Sequence, residues 1–269
     1  MDIGRALTFF TEDERWIEKT AIGTGVLLLS TLLSAILVGV VGFFIVMGYG
    51  VRLMQNVRDG VNPVLPEWDQ WGDDLSRGFK LFVVQFVWAL PIILIIAPVM
   101  IVSIIVGNAG GGDAEGFAVL LSLCATCISF IVGIAYTLIQ PAVTIFFAEN
   151  EQISDGLQIA RIWDWTRAHI GEVVIVTIVY LVGSMIIATV GSIAGVILCV
   201  IGLVVTIPLS QLVIYYMQFH LYGQLAPAVA GGGSASMGMG MGIDNASNSP
   251  TTSDTSEDED DFTPPQIIS

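Results

Sequence analysis

Three stretches of this chain, residues 20–51, 81–112 and 116–148, contain no Asp, Glu, Lys or Arg, and a fourth, residues 173–222, is longer still. All are dominated by Val, Ile, Leu, Phe, Gly and Ala. An apolar run of about 18 or more residues is long enough to cross a bilayer as a helix. Hydrocarbon leaves open backbone N–H and C=O groups unpaired, so each such run must satisfy them within itself. The chain therefore reads as an all-α integral membrane protein.

Composition agrees. Hydrophobic residues make up 54% of the chain, charged residues 12%, and the mean hydropathy is +0.81. A soluble domain carries about 25% charged residues. Nearly all the charge falls in four patches, residues 2–19, 52–80, 149–172 and 244–261, as expected when the rest of the chain lies in lipid. Net charge is −15 and the pI about 4.2. That balance argues against nucleic acid, which needs a basic surface, and against a polybasic anchor on anionic lipid. The expected partners are the lipid bilayer and either a membrane-protein partner or a second copy in a homo-oligomer. With two lysines, Lys19 and Lys80, more Asp than Glu, and an acidic tail, the composition resembles that of a halophilic archaeon.

The N-terminal segment lacks a basic region followed by an apolar core, so it does not read as a secretory signal. Thr11-Glu12-Asp13-Glu14 fits a capping box, which predicts a helix from about Thr11 running through Trp16. The first run divides into two spans if each extends into its charged flank, with the turn near residues 34–36. A single long span is the alternative. Residues 52–80 hold Gly60, Pro63, Pro66 and Gly72, which break helix. Trp68 and Trp71 read as markers of the membrane interface, and Asp73 or Asp74 as the cap of the next helix. Pro91 and Pro98 read as kinks within that helix. Residues 149–172 read as a short interfacial helix with Leu157, Ile159, Ile162, Trp163 and Trp165 on a mixed apolar face. Residues 173–222 are long enough for two spans.

The expected fold is six transmembrane helices as three hairpins, or five helices if the first run is not divided. A polytopic domain of residues 1–227 is followed by residues 228–269, a Gly/Met/Ser-rich and acidic tail expected to be disordered. With six spans all nine Lys and Arg share one side, so the positive-inside rule puts both termini in the cytoplasm and the protein in the cell membrane. Trp16, Trp71 and Trp165, each shortly before a hairpin, make a weak repeat.

The sequence offers no catalytic constellation, no cofactor motif and no metal-ligand spacing, and it does not read as an enzyme. Cys124 and Cys127 form a single C-x-x-C that reads as small packing residues on one helix face. No Asp, Glu, Lys or Arg lies within a confident span, which argues against a proton-coupled carrier with a buried carboxylate. The intramembrane polar candidates are Gln85, Gln140 and Gln211, with Gln218 beside them. Gln140-Pro141 is notable because a proline frees a carbonyl that can line a cavity. Gly39/Gly42 and Gly191/Gly195 read as places where helices approach closely, or in the second case a turn. The candidate interaction loop is residues 65–80, which concentrates Pro66, Glu67, Trp68, Asp69, Trp71, Asp73 and Arg77.

MDIGRAL at the start, GYGVRLMQNVRDG at residues 48–60 and LPEWDQWGDDLSRGFK at residues 65–80 resemble an uncharacterised prokaryotic membrane family, domain of unknown function 4013. The resemblance covers roughly residues 1–222. It implies a multi-span membrane domain and no established activity. Members often carry a proline near the first turn, and this chain has none there. Two function classes follow: a non-enzymatic membrane domain acting through partners or membrane organisation, and a small permease or channel-like protein. A polar cavity at mid-membrane would separate them.

Overall fold

The structure, a computed structural model, describes residues 3–36, 38–108, 112–198 and 202–226. The tail and Cys199 lie outside these residues. Among them the elements are α1 (Ile3–Thr8), a 3-10 turn (Phe9–Glu12), α2 (Trp16–Leu33), a second 3-10 turn (Ser34–Ile36), α3 (Gly39–Asp59), α4 (Trp71–Asn108), α5 (Gly112–Asn150), α6 (Ile153–Gly156), α7 (Ile159–Ala168), α8 (Ile170–Ile197) and α9 (Leu203–Leu225). Six of them, α2, α3, α4, α5, α8 and α9, are long and apolar enough to cross a membrane.

The start of α2 differs from expectation. The Thr11 hydroxyl donates to Thr8 O at 2.7 Å instead of capping a helix, and residues Phe9–Glu12 wind as 3-10. The N-cap of α2 is Arg15, which has no side-chain cap bond, and Asp13 instead ties down the turn that enters the helix. Its carboxylate accepts from the Arg15 N–H at 2.8 Å and its carbonyl from the Trp16 N–H at 3.1 Å. A carboxylate is a stronger acceptor than a hydroxyl at the positive end of a helix, and this one is also fixed by Lys19 at 2.7 Å.

The first apolar run is divided where expected. The turn has no proline, and the hydroxyls near it bond back into α2: Ser30 Oγ donates to Val26 O at 2.6 Å and Ser34 Oγ to Thr31 O at 2.7 Å. α3 then lies against α2 so closely that a Cβ on Gly39 would strike the Ser30 carbonyl, and one on Gly42 the Ser30 hydroxyl. Gly48 and Gly78 seat α3 against α4 in the same way, facing the backbone carbonyls of Asp74 and Phe44. Gly191 and Gly195 lie inside α8 and meet Ser210 and Thr206 of α9, so they serve packing and the turn comes after them. Small residues at such crossings let backbones approach where lipid supplies no hydrophobic drive.

α4 has 38 residues and α5 has 39, and both run through their prolines, Pro91 and Pro98 in one and Pro141 in the other. Each is about 57 Å long at about 1.5 Å per residue. The core gathers at the charged end of the bundle. Val46, Tyr49 and Leu53 of α3, Leu81 and Val84 of α4, Phe146 and Phe147 of α5, and Tyr216 and Phe219 of α9 are buried there. Toward the other end, Leu94, Ile105, Phe130, Ile131, Met185 and Ile197 are exposed, as suits side chains that meet lipid. Cys124 and Cys127 also lie on the outward surface of α5. The expectation that they pack between helices is corrected: the face they share is turned away from the neighbouring helices.

The interfacial helix forms as α7, but its apolar residues are divided between two faces. Ile162 and Trp165 are buried, with Trp165 edge-on to Phe146 at 6.1 Å, while Ile159 and Trp163 point outward. Ile159 and Trp163 are one turn apart, so the 3.6-residue period puts them together on the side opposite the core.

Candidate functional site: a polar cleft above a charged base

The base of the bundle is built from the sequence-predicted loop and the helix ends around it. Lys19, in the first turn of α2, is 2% exposed at its side chain. Its ammonium is held by Asp13 Oδ2 at 2.7 Å, Glu67 Oε1 at 2.9 Å and the Leu65 carbonyl at 3.0 Å. Arg15 also pairs with Glu67. Burial disfavours the charged Asp13 carboxyl, but hydrogen bonds from Lys19 and the Arg15 N–H outweigh it and hold its pKa below 3.8. A second network joins α3, α4 and the end of α5. Arg52 grips Asp74 at 2.6 Å and Asp69 at 3.2 Å, and Arg77 bridges Asp74 at 2.8 Å to Glu151 at 2.7 Å. Glu151 closes α5 in a left-handed conformation, φ 56°, and accepts from Gln55 at 3.2 Å. Its pKa is likewise lowered: burial pushes it up, and Arg77 and Gln55 more than reverse that.

The loop residues are thus largely committed to holding the base together. Pro66 O accepts from the Tyr49 hydroxyl at 2.9 Å. Trp68 stacks on Tyr49 at 3.9 Å and donates to Lys19 O at 2.9 Å. Of the two tryptophans expected to mark the interface, Trp68 has its ring half-buried between α2 and α3, and Trp71 is 42% exposed. Asp73 is exposed, while Asp74 turns to Arg52 and Arg77 and away from its own helix end. Sequence reasoning missed Lys19, Asp13 and Arg52 as partners of this loop. They lie 46 or more positions upstream of it for Lys19 and 15 to 22 for Arg52, and no local pattern joins them.

Above this base, a cavity of about 290 Å³ opens among α3, α4, α5, α8 and α9. It brings together all four glutamines that the sequence marked: Gln85, Gln140, Gln211 and Gln218. α9 presents Gln211, Tyr215, Gln218 and Tyr222 to it. That spacing, i, i+4, i+7 and i+11, is one helix face about 16 Å long. α5 adds Tyr136, Thr137, Gln140 and Thr144, α8 adds Tyr180, and Met47 and Phe219 supply apolar surface. Tyr136, Tyr180, Tyr215 and Tyr222 were not picked out from the sequence, although the polar stripe on α9 is legible in its spacing.

The two threonine hydroxyls are taken by their own helix, Thr137 by Gly133 O at 2.8 Å and Thr144 by Gln140 O at 2.9 Å. The Tyr136 hydroxyl donates to Gln85 O at 3.3 Å, and Gln218 Nε2 donates to the Tyr222 hydroxyl at 3.1 Å. Tyr136 with Gln140, and Gln211 with Tyr215, stand within side-chain hydrogen-bonding reach. Among the described residues nothing hydrogen-bonds the Gln85 side-chain amide, and no Asp, Glu, Lys or Arg lines the cavity. Among them, too, there is no group of three His, Cys, Asp or Glu residues able to hold a metal ion.

Six helices long and apolar enough to cross a membrane, five of which line an uncharged polar cleft, define a multi-pass helical membrane protein. The chain matches the family described as "Protein of unknown function (DUF4013)" over residues 31–199, well over half its length, and it belongs to that family. No curated protein and no solved structure matches it.

Proposed function

We propose that this chain is a small permease-like protein of the cell membrane whose cleft binds an uncharged polar solute. One observation carries the reading: four glutamines from three helices converge with four tyrosines along one open cleft of the apolar bundle, with Gln211 at its exposed edge. A scaffold has use for the pairs they form, such as Gln218 with Tyr222, but not for an amide without a partner among the described residues, as that of Gln85 is, since an unpaired polar group in hydrocarbon costs about 1–3 kcal/mol. The cleft moves the balance from partner-mediated organisation, the first reading of the sequence, to the second. In this proposal the six helices form three hairpins and both termini are cytoplasmic, since all nine Lys and Arg then share the positive side.

Reconstitution tests it. Proteoliposomes should pass small neutral solutes such as glycerol or xylitol faster than protein-free vesicles, by stopped-flow light scattering, and Gln140→Leu and Gln211→Leu should slow them. Permeability equal to that of protein-free vesicles for a panel of neutral solutes would sink the proposal. A second reading, docking of a membrane-protein partner, is favoured by the exposed Trp71 beside the exposed Asp73. Under it Trp71→Ala abolishes co-purification of the partner and leaves the flux unchanged.

A further inference from the structure

We infer that the cleft is a binding site for an uncharged polyol of five or six carbons, with Gln85 as a specificity-determining residue. This rests on the proposed solute site and names the chemistry of its solute.

Charge comes first. With no ionised group among the lining residues, a charged ligand would lose its hydration and meet no counter-charge. Hydrogen bonding narrows the class further. An amide side chain carries two donors and an acceptor, and a phenol both donates and accepts. A ligand made only of acceptors, or only of donors, leaves part of that lining unmatched. A hydroxyl both donates and accepts, so several hydroxyls on a small carbon frame match amides and phenols arrayed on several sides. The C–H faces of such a frame have Met47 and Phe219 to lie against.

Size is compatible with this class: the cleft, about 290 Å³ and open to the surface, has room for a compact solute such as a pentitol or a cyclitol. Gln85 is singled out because it lies on α4, apart from the α5 and α9 stripes, and because its amide is uncommitted among the described residues. The Tyr136 hydroxyl, by contrast, already bonds the Gln85 backbone carbonyl. The amide is therefore open to a ligand, as is the Tyr180 hydroxyl, which also has no hydrogen bond among the described residues.

The test is titration calorimetry on the full chain in nanodiscs of neutral lipid. Xylitol and myo-inositol are the probes, with glucuronate and cyclohexane-1,2-diol as the charged and under-hydroxylated controls. Both polyols should bind, and each control should bind at least about tenfold more weakly, as expected of a site built to hydrogen-bond hydroxyls. Gln85→Leu should weaken polyol binding by about tenfold at an unchanged unfolding temperature. If that variant does not fold, the wild-type ligand series still decides the class. A neutral monohexosyl diacylglycerol in the nanodisc separates the two sources of such chemistry. Competition with myo-inositol assigns the site to a lipid headgroup, and lack of competition assigns it to a free solute; both support the polyol class. Absence of polyol binding, or equal binding of the controls, overturns the inference. Wild-type affinity in a folded Gln85→Leu variant overturns the role of Gln85. Binding without flux defeats the permease reading alone, and flux of some other neutral solute without polyol binding defeats this inference alone.

Discussion

Replacing Lys19 by Met is the sharpest probe of the base that supports the cleft. Methionine keeps most of the apolar stem and removes the ammonium. The ammonium is 2% exposed and contacts Asp13 at 2.7 Å, Glu67 at 2.9 Å and the Leu65 carbonyl at 3.0 Å. Its loss leaves the Asp13 carboxylate, 7% exposed, with the Arg15 N–H as its remaining donor among the described residues. It also leaves the Leu65 carbonyl without its side-chain donor. Glu67, nearly half exposed, is solvated and adds little. Stripping one partner from a buried pair costs about 3–5 kcal/mol. At about 2–4 °C per kcal/mol for a chain of this size, the unfolding temperature in detergent should fall by roughly 10 °C. Adding Asp13→Asn should restore part of the loss, since the uncompensated charge goes with it. Limited proteolysis should show faster cleavage around residues 60–67, because Lys19 ties that loop to α2. A Lys19→Met protein that unfolds within about 2 °C of wild type, with Asp13→Asn adding nothing, would refute the view that this buried charge cluster pins the loop.

Three further outcomes are expected. Gly48→Ala and Gly78→Ala should each destabilise by about 1–3 kcal/mol, because the new Cβ meets a backbone carbonyl across the α3–α4 contact; Gly133→Ala, with open space around it, should be neutral or stabilise by up to about 1 kcal/mol, as read by thermal unfolding. Asp13 and Glu151 have folded pKa values below their ordinary 3.8 and 4.5, so the stability they contribute is present above those values and is lost as pH falls through the lower folded ones; unfolding temperature should be flat in this respect above about pH 5 and drop below about pH 4. In a background with Cys124, Cys127 and Cys199 replaced, single cysteines at Thr8 and Ser249 should both label from the cytoplasmic side, and truncation after Pro227 should leave accumulation in the membrane unchanged.

The sequence by itself determined the class and the positions of the spans. Uncharged runs permit only helices in hydrocarbon, so α3, α4, α5, α8 and α9 lie where composition put them, whereas the division of the first run at Ser34–Ile36 was one of two readings that its length allowed. It also marked each cleft glutamine singly, because an amide stands out within an apolar run. Tertiary structure alone decided what those groups do together. Gln85, Gln140 and Gln211 belong to three helices, and their convergence depends on how α4, α5 and α9 lean, which is set by close contacts such as Gly48 on Asp74 and Gly50 on Phe219. The fate of Trp68 was settled in the same way. An aromatic residue beside acidic ones reads locally as an interface anchor, yet the Tyr49 ring and the Lys19 carbonyl, both distant in sequence, draw it into the protein. Span positions follow from the solvent that each residue must meet, which is a local property, whereas the cleft and its charged base follow from packing between segments far apart in the chain.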